Sequence, residues 1–138
     1  MAHDQLVVGH MLPPRTLPPV SAEKMKTMAA LLSDSNPIHF DVDAVRALGM
    51  GDRPVNQGPT NMAYIMNYLA DWAGSNERIS RLSVRFRANV FAGQVTEVRG
   101  QITAITAHSV DIDVELVADG VIALSGTGTV LRDGGGRQ

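Results

Sequence analysis

One segment limits the folds open to this chain more than any other. Residues 61–72 are apolar almost all round, with Met62, Ala63, Ile65, Met66, Leu69 and Ala70 joined by Tyr64 and Tyr68. A helix that is apolar on every side is buried rather than laid on a surface, so the rest of the chain has to cover it. The second half of the chain has the pattern of strands. In residues 82–90, Leu82, Val84, Phe86, Ala88 and Val90 alternate with Ser83, Arg85, Arg87 and Asn89, the period of a half-buried strand. Residues 95–106, 110–117 and 121–131 are rich in β-branched side chains, and turn signals stand between the runs at Ala92-Gly93, His108-Ser109 and Asp119-Gly120. Asp-Gly between two such runs is a strong hairpin signal. The pattern predicts an α+β fold, one long buried helix wrapped by an antiparallel sheet.

The first half is helical and irregular. Pro13, Pro14, Pro18 and Pro19 come after a short apolar stretch and read as loop or extended chain. Ser21 is placed to cap a helix over residues 22–32, with Met25, Met28, Ala29 and Leu32 at helical spacing. A short helix is expected over 42–48, ended by Gly49 and Gly51, with Asp41 as its cap. No repeat or linker divides the 138 residues, so residues 1–132 are read as one domain and 133–138 as a disordered tail. An apolar fraction of 44% with 19% charged residues is that of a packed globular chain.

Several function classes drop out at this stage. With no cysteine, disulfides, thiolate metal sites and Cys nucleophiles are excluded, and a reducing compartment fits. A net charge of −2 without a basic run argues against a nucleic-acid partner. No stretch approaches the ~20 apolar residues of a membrane span, and the N-terminal Met-Ala-His-Asp lacks the features of a signal peptide, so a cytoplasmic protein is expected.

The segment Ser33-Asp34-Ser35-Asn36-Pro37-Ile38-His39-Phe40-Asp41 carries the chemistry. Pro37 biases Asn36 away from the helical region, so Asp34 and His39 stand on a bend rather than on one helical face. Spacing alone leaves two readings. Asp34 caps a turn and His39 is a structural histidine, or the two converge on a water. A carboxylate and an imidazole so placed suit addition of water to a polarised double bond: one takes the water's proton as oxygen attacks Cβ, the other delivers a proton to Cα.

Asp34-Ser35-Asn36-Pro37-Ile38-His39 closely resembles the Gly-Asp-x-Asn-Pro-aliphatic-His motif of MaoC-like proteins and (R)-specific enoyl-CoA hydratases. The likeness extends over most of the chain, through Ser83-Val84-Arg85-Phe86-Arg87, Ala92-Gly93, the Asp119-Gly120 hairpin and the run from Gly126 to Val130. It implies a hot-dog fold, a catalytic pair of Asp34 and His39, and an acyl thioester substrate carried on coenzyme A or an acyl carrier. It implies no metal and no organic cofactor. Hot-dog domains generally pair side by side, which implies a homodimer, or a heteromer with another MaoC-like chain. The family's next loop presents a backbone N–H to the thioester oxygen at the start of the central helix. Helix N-termini suit that task because their first amides lack intrahelical partners.

Two departures from the family pattern stand out: Ser33 replaces the usual glycine, and Val55-Asn56-Gln57-Gly58-Pro59-Thr60 replaces the usual His-Gly-Met loop. Because Pro59 has no N–H, the donor is Gly58 or Gln57, with Gly58 preferred, and Asn56 and Asn36 are further substrate-binding candidates. The Val55-Asn56 loop and Asp71-Trp72-Ala73-Gly74 also look like the small MaoC-like subunits of actinobacterial steroid side-chain hydratases, which pair with a second MaoC-like chain. Arg85 and Arg87 share a strand face, where they either meet a coenzyme A phosphate or are simply solvated. Met62, Tyr64 and Met66 either pack the core or line an acyl tunnel. Two alternatives from other classes remain: a hot-dog thioesterase, and a non-catalytic subunit that binds acyl thioesters beside an active paralogue.

Overall fold

The computed structural model describes residues 6–32 and 36–132, so the expected tail at 133–138 lies outside the described residues. In chain order the elements are β1 (Arg15–Thr16), α1 (Ala22–Leu31), a 3-10 turn (Pro37–His39), α2 (Val42–Ala47), α3 (Gly58–Ala73), a second 3-10 turn (Asn76–Arg78), β2 (Ile79–Phe86), β3 (Thr96–Ile105), β4 (Ser109–Ala118) and β5 (Val121–Leu131). All strand pairings are antiparallel, and the sheet order is β1-β3-β4-β5-β2. This is the wrapped-helix architecture expected from the sequence. No described helix is long and apolar enough to cross a membrane.

The strand alternation sorts side chains between the two faces. Val98 and Ile102 of β3, Val110, Ile112, Val114 and Leu116 of β4, and Leu124 and Val130 of β5 are buried against α3. Asp113, Arg81, Ser83 and Arg85 are exposed on the outer face. Between β4 and β5 the chain reverses through Asp119 at φ 48° and Gly120 at φ 78°. Two successive residues of positive φ are what a two-residue hairpin turn needs.

α3 buries one stripe, Asn61, Ile65, Tyr68, Leu69 and Ala73, rather than its whole circumference, and Met66 remains 41% exposed. It also begins at Gly58, three residues before the apolar run. Proline near the first position needs no N–H there, so Gly58-Pro59 opens the helix instead of ending a loop. The helix lies close to the sheet because glycines face it. A Cβ on Gly100 would stand 3.2 Å from the Tyr68 ring, and one on Gly128 would stand 2.7 Å from Leu69 Cδ1. At Gly126 a Cβ would overlap the carbonyl oxygen of Ser83 on the neighbouring strand.

The proline-rich entry does more than connect. Leu12 N–H donates to Gly100 O at 2.9 Å, Gly9 N–H to Ile102 O at 2.8 Å, and β1 pairs with Val98 and Glu97. These residues cover the β3 side of the sheet, while β2 terminates the other side. β2 itself is shifted from the expected 82–90. It ends at Phe86, where Arg87 and Ala88 N–H both donate to Ala123 O and the chain leaves the ladder.

Candidate functional site

The bend at Asn36-Pro37 forms as its residue types require. Asn36 Oδ1 accepts from Ile38 N–H at 3.3 Å, Pro37 opens a 3-10 turn, and Asp41 N–H donates back to Pro37 O at 2.7 Å. Asp41 then caps α2, accepting from the N–H of Asp43 and Ala44. One turn of this kind rotates alternate side chains apart: His39 is 7% exposed while its neighbour Phe40 is 41% exposed. Asp34 lies outside the described residues, and so does Ser33.

One residue, Val55, holds both His39 and its neighbour Ile38. His39 Nδ1–H donates to Val55 O at 2.6 Å, and Val55 N–H donates to Ile38 O at 2.8 Å. A carbonyl oxygen only accepts, so the shared proton belongs to Nδ1 and the neutral ring carries its lone pair on Nε2. Val55 is anchored in turn by a bridge to Phe91, while Asn56 N–H donates to Val90 O at 2.7 Å. These pairings bring His39 to the segment that starts the central helix.

Here α3 presents its N-terminus. Gln57 is the N-cap and makes no capping hydrogen bond, Gly58 is the first helical residue, and Pro59 contributes no amide. Among the first residues of the helix, Gly58 N–H is therefore an amide without an i−4 partner in the helix. Phe86 lies against it, since a Cβ on residue 58 would stand 3.3 Å from Phe86 Cε1. Gln57 is fully buried and its Nε2 donates to Met25 O at 2.9 Å, which ties the helix start to α1.

Three polar side chains cluster beside this helix start. Asn56 Nδ2 donates to Asn61 Oδ1 at 2.7 Å and to Tyr64 OH at 3.2 Å. Asn56 and Asn61 are 5% and 3% exposed, respectively. The sequence singles out Asn56 but not Asn61 or Tyr64, which fall within an apolar helix. The one signal for Asn61 is its place one helical turn after Gly58 in that otherwise apolar run.

Two cavities meet at Asn56. A cleft of about 270 Å³ is bordered by Asn56, Gly58, Asn61, Phe86 and Arg87. A mostly apolar cavity of about 230 Å³ lies between α1 and α3, bordered by Val20, Met25, Met28, Asn56, Thr60 and Tyr64. Asn56 and Gly58 thus border one cleft, and His39 is joined to the same segment through Val55 O. Asn36 is used in the turn that precedes His39. Tyr64 lines the apolar cavity, Met66 faces outward, and Met62 packs against the core. Arg85 and Arg87 are exposed, and Arg87 Nε–H donates to Ser125 Oγ at 2.6 Å.

Residues 9–123 match the MaoC like domain family. A UPF0336 protein of Streptomyces griseus is 40% identical over 52 residues, a stretch covering 38% of this chain and 35% of that protein. The shared segment is thus about a third of the relative's length. Among solved structures, the ChsH1-ChsH2 complex from Mycobacterium tuberculosis aligns with a TM-score of 0.79 at 22% identity, over 92% of this chain and 99% of the matched one. The (R)-hydratase from A. caviae involved in PHA biosynthesis aligns with a TM-score of 0.79 at 21% identity, over 91% of this chain and 96% of the enzyme. At these identities the structural matches establish the hot-dog fold.

Proposed function

This chain belongs to the MaoC-like domain family, and from that membership we propose that it interconverts 2-enoyl and 3-hydroxyacyl thioesters by adding or removing water. The observation that carries the reading is the seat of His39: a buried imidazole whose Nδ1–H is fixed on Val55 O at 2.6 Å, beside the start of α3. That bond leaves Nε2 of the neutral ring as the proton acceptor. As the water oxygen bonds to Cβ, Nε2 takes the water's proton and Asp34 delivers one to Cα; dehydration runs the same path backwards. The role of Asp34 rests on its place in the Asp-x-Asn-Pro-Ile-His motif.

While the carbon–oxygen bond forms, the double-bond electrons move toward the carbonyl, and negative charge gathers on the thioester oxygen. Gly58 N–H is the donor proposed to meet it. The apolar cavity between α1 and α3 would take the acyl chain, since Asn56 borders both that cavity and the cleft at the helix start. Neither a metal nor an organic cofactor enters this scheme; coenzyme A or an acyl carrier arrives with the substrate.

Assembly is read from the sheet. β2 ends it, and Phe86 on that strand is 55% exposed. An unpaired strand edge is a ready site for pairing, so we propose a side-by-side dimer through β2. The partner is a second copy or another MaoC-like chain; the structurally similar ChsH1-ChsH2 assembly is itself a complex of two different proteins.

The test is hydration of crotonyl-CoA and of a bulkier 2-enoyl-CoA, followed by loss of enone absorbance with free thiol monitored in parallel. Asp34→Asn and His39→Ala should each lose hydration by about 100-fold or more, the scale of general acid–base catalysis. Thiol release without hydration would make the protein a thioesterase. Activity that appears only on adding a second MaoC-like chain would assign it to a partner-dependent subunit.

A further inference from the structure

The cleft at the start of α3 contains a donor that the hydration scheme leaves unused. Asn61 is 3% exposed, and its Oδ1 accepts from Asn56 Nδ2 at 2.7 Å. Its own Nδ2 has no hydrogen-bond partner among the described residues. It is also not among the fully buried side-chain polar atoms without a hydrogen bond, which among the described residues are Gln57 Oε1, Thr60 Oγ1 and Thr96 Oγ1. A nearly buried amide nitrogen without a partner is costly unless something arrives to accept from it. Asn61 borders the same cleft as Gly58.

Helix geometry directs both groups to one place. Residues three apart on a helix are neighbours on its surface, and helical side chains lean back over the preceding turn toward the N-terminus. Asn61 is three residues after Gly58, and its bond to Asn56, which precedes the helix, shows that its amide does reach back past the first turn. The Gly58 amide opens onto the same end, because the first N–H groups of a helix point out along its axis.

We propose that Asn61 Nδ2–H and Gly58 N–H together bind the carbonyl oxygen of an acyl thioester, with Asn61 as a catalytic donor in its own right. This rests on the hydratase reading. In the transition state the new bond joins the water oxygen to Cβ, the Cα=Cβ electrons shift to form the enolate, and the carbonyl oxygen takes up the negative charge. Two donors then hold that oxygen until Cα is protonated and the carbonyl re-forms. The second donor also gives a physical account of the altered loop. Pro59 removes one backbone amide from the helix start, and the Asn61 side chain puts an N–H back at the same end. Asn56 fixes which way the Asn61 amide faces by occupying its oxygen.

Asn61→Leu and Asn61→Asp test this. Aspartate keeps an acceptor for Asn56 at nearly unchanged volume but, as a carboxylate, offers no N–H and adds a negative charge, so the donor role requires that Asn61→Leu, which removes the N–H without adding charge, lose activity as well. The donor role predicts a fall in kcat/KM for crotonyl-CoA of about 100- to 1000-fold, the usual effect of removing one oxyanion donor, expressed in kcat more than in KM. A second readout does not need turnover: the enolate absorbance of bound acetoacetyl-CoA, measured in wild type, Asp34→Asn and both Asn61 variants, with thermal melts confirming folding. The band should be present in wild type and Asp34→Asn and lost in the Asn61 variants. If wild type hydrates the substrate and folded Asn61 variants stay within about threefold of it in kcat/KM, the proposal fails while the hydratase reading stands. If wild type shows the enolate band but no hydration, the hydratase reading fails; the donor pair then stands if the Asn61 variants lose the band and fails if they keep it. If wild type binds neither thioester, both fail.

Discussion

The contact between Leu69 and Gly128 allows a quantitative test of how α3 is seated on the sheet. Leu69 is fully buried, and a methyl group on residue 128 would meet its Cδ1 at 2.7 Å, with the next neighbours at 3.7 Å and 3.8 Å. The clash thus involves one atom, the end of one side chain. Gly128→Ala alone overpacks a closed core and should cost about 1–3 kcal/mol. Leu69→Ala alone removes a buried side chain and leaves a cavity, and should cost about 3–4 kcal/mol. Together they should cost less than the sum, because the methyl at 128 occupies part of the space Leu69 vacates. A double mutant near 2–5 kcal/mol, with a coupling of about 2 kcal/mol, is expected. Urea unfolding followed by far-UV circular dichroism would give all four corners of the cycle. Costs that add to within about 0.5 kcal/mol would refute the claim that the missing Cβ exists to admit Leu69. Gly126 provides the contrast. Its added methyl would overlap the backbone oxygen of Ser83, so Leu69→Ala should give Gly126→Ala no relief, and that single change should fall in the exceptional range above about 4 kcal/mol.

Two other expectations concern stability. Burial pushes the Tyr68 hydroxyl up to about 12, an effect that Arg15 opposes and Glu97 reinforces. A phenol whose folded value is raised contributes stability that is complete below about pH 10 and lost as pH climbs toward 12, roughly 3 kcal/mol in all. Tyr68→Phe, which also gives up the hydroxyl's 2.8 Å bond to Pro13 O, should flatten that alkaline slope; urea midpoints measured across this range would overturn the assignment if both proteins lost stability in parallel. Asp41→Ala removes the oxygen that accepts from Asp43 and Ala44 N–H and should lower stability by about 1 kcal/mol, read as a shift in the thermal midpoint; no shift would mean that solvent serves this short helix equally well.

Local rules were enough for much of the fold. Ser21 does cap α1, accepting from Lys24 N–H, and Asp41 does cap α2, because capping depends only on groups two or three residues apart. The last strand runs over Val121–Leu131 as its β-branched residues and the turn before it indicated, and the Asp119-Gly120 turn adopts the backbone that those two residues favour. The turn from Asn36 to His39 could be read directly, since proline biases the residue before it away from the helical region. Tertiary structure decided the rest. Sequence could not show that α3 buries only one stripe, because composition reports which side chains are apolar and not which of them meet the sheet. It could not place residues 9–17 along β3, because pairing between segments so far apart in the chain leaves no local mark. The same limit hid Asn61. Within the sequence it is a polar interruption in an apolar helix, and it becomes a candidate donor only when folding buries it, gives its oxygen to Asn56 and sets the residue at the border of the cleft beside Gly58. Capping, turns and periodicity are short-range and can be read along the chain, whereas the contacts of His39 with Val55 and of Asn61 with Asn56 depend on distances that exist only in the packed fold.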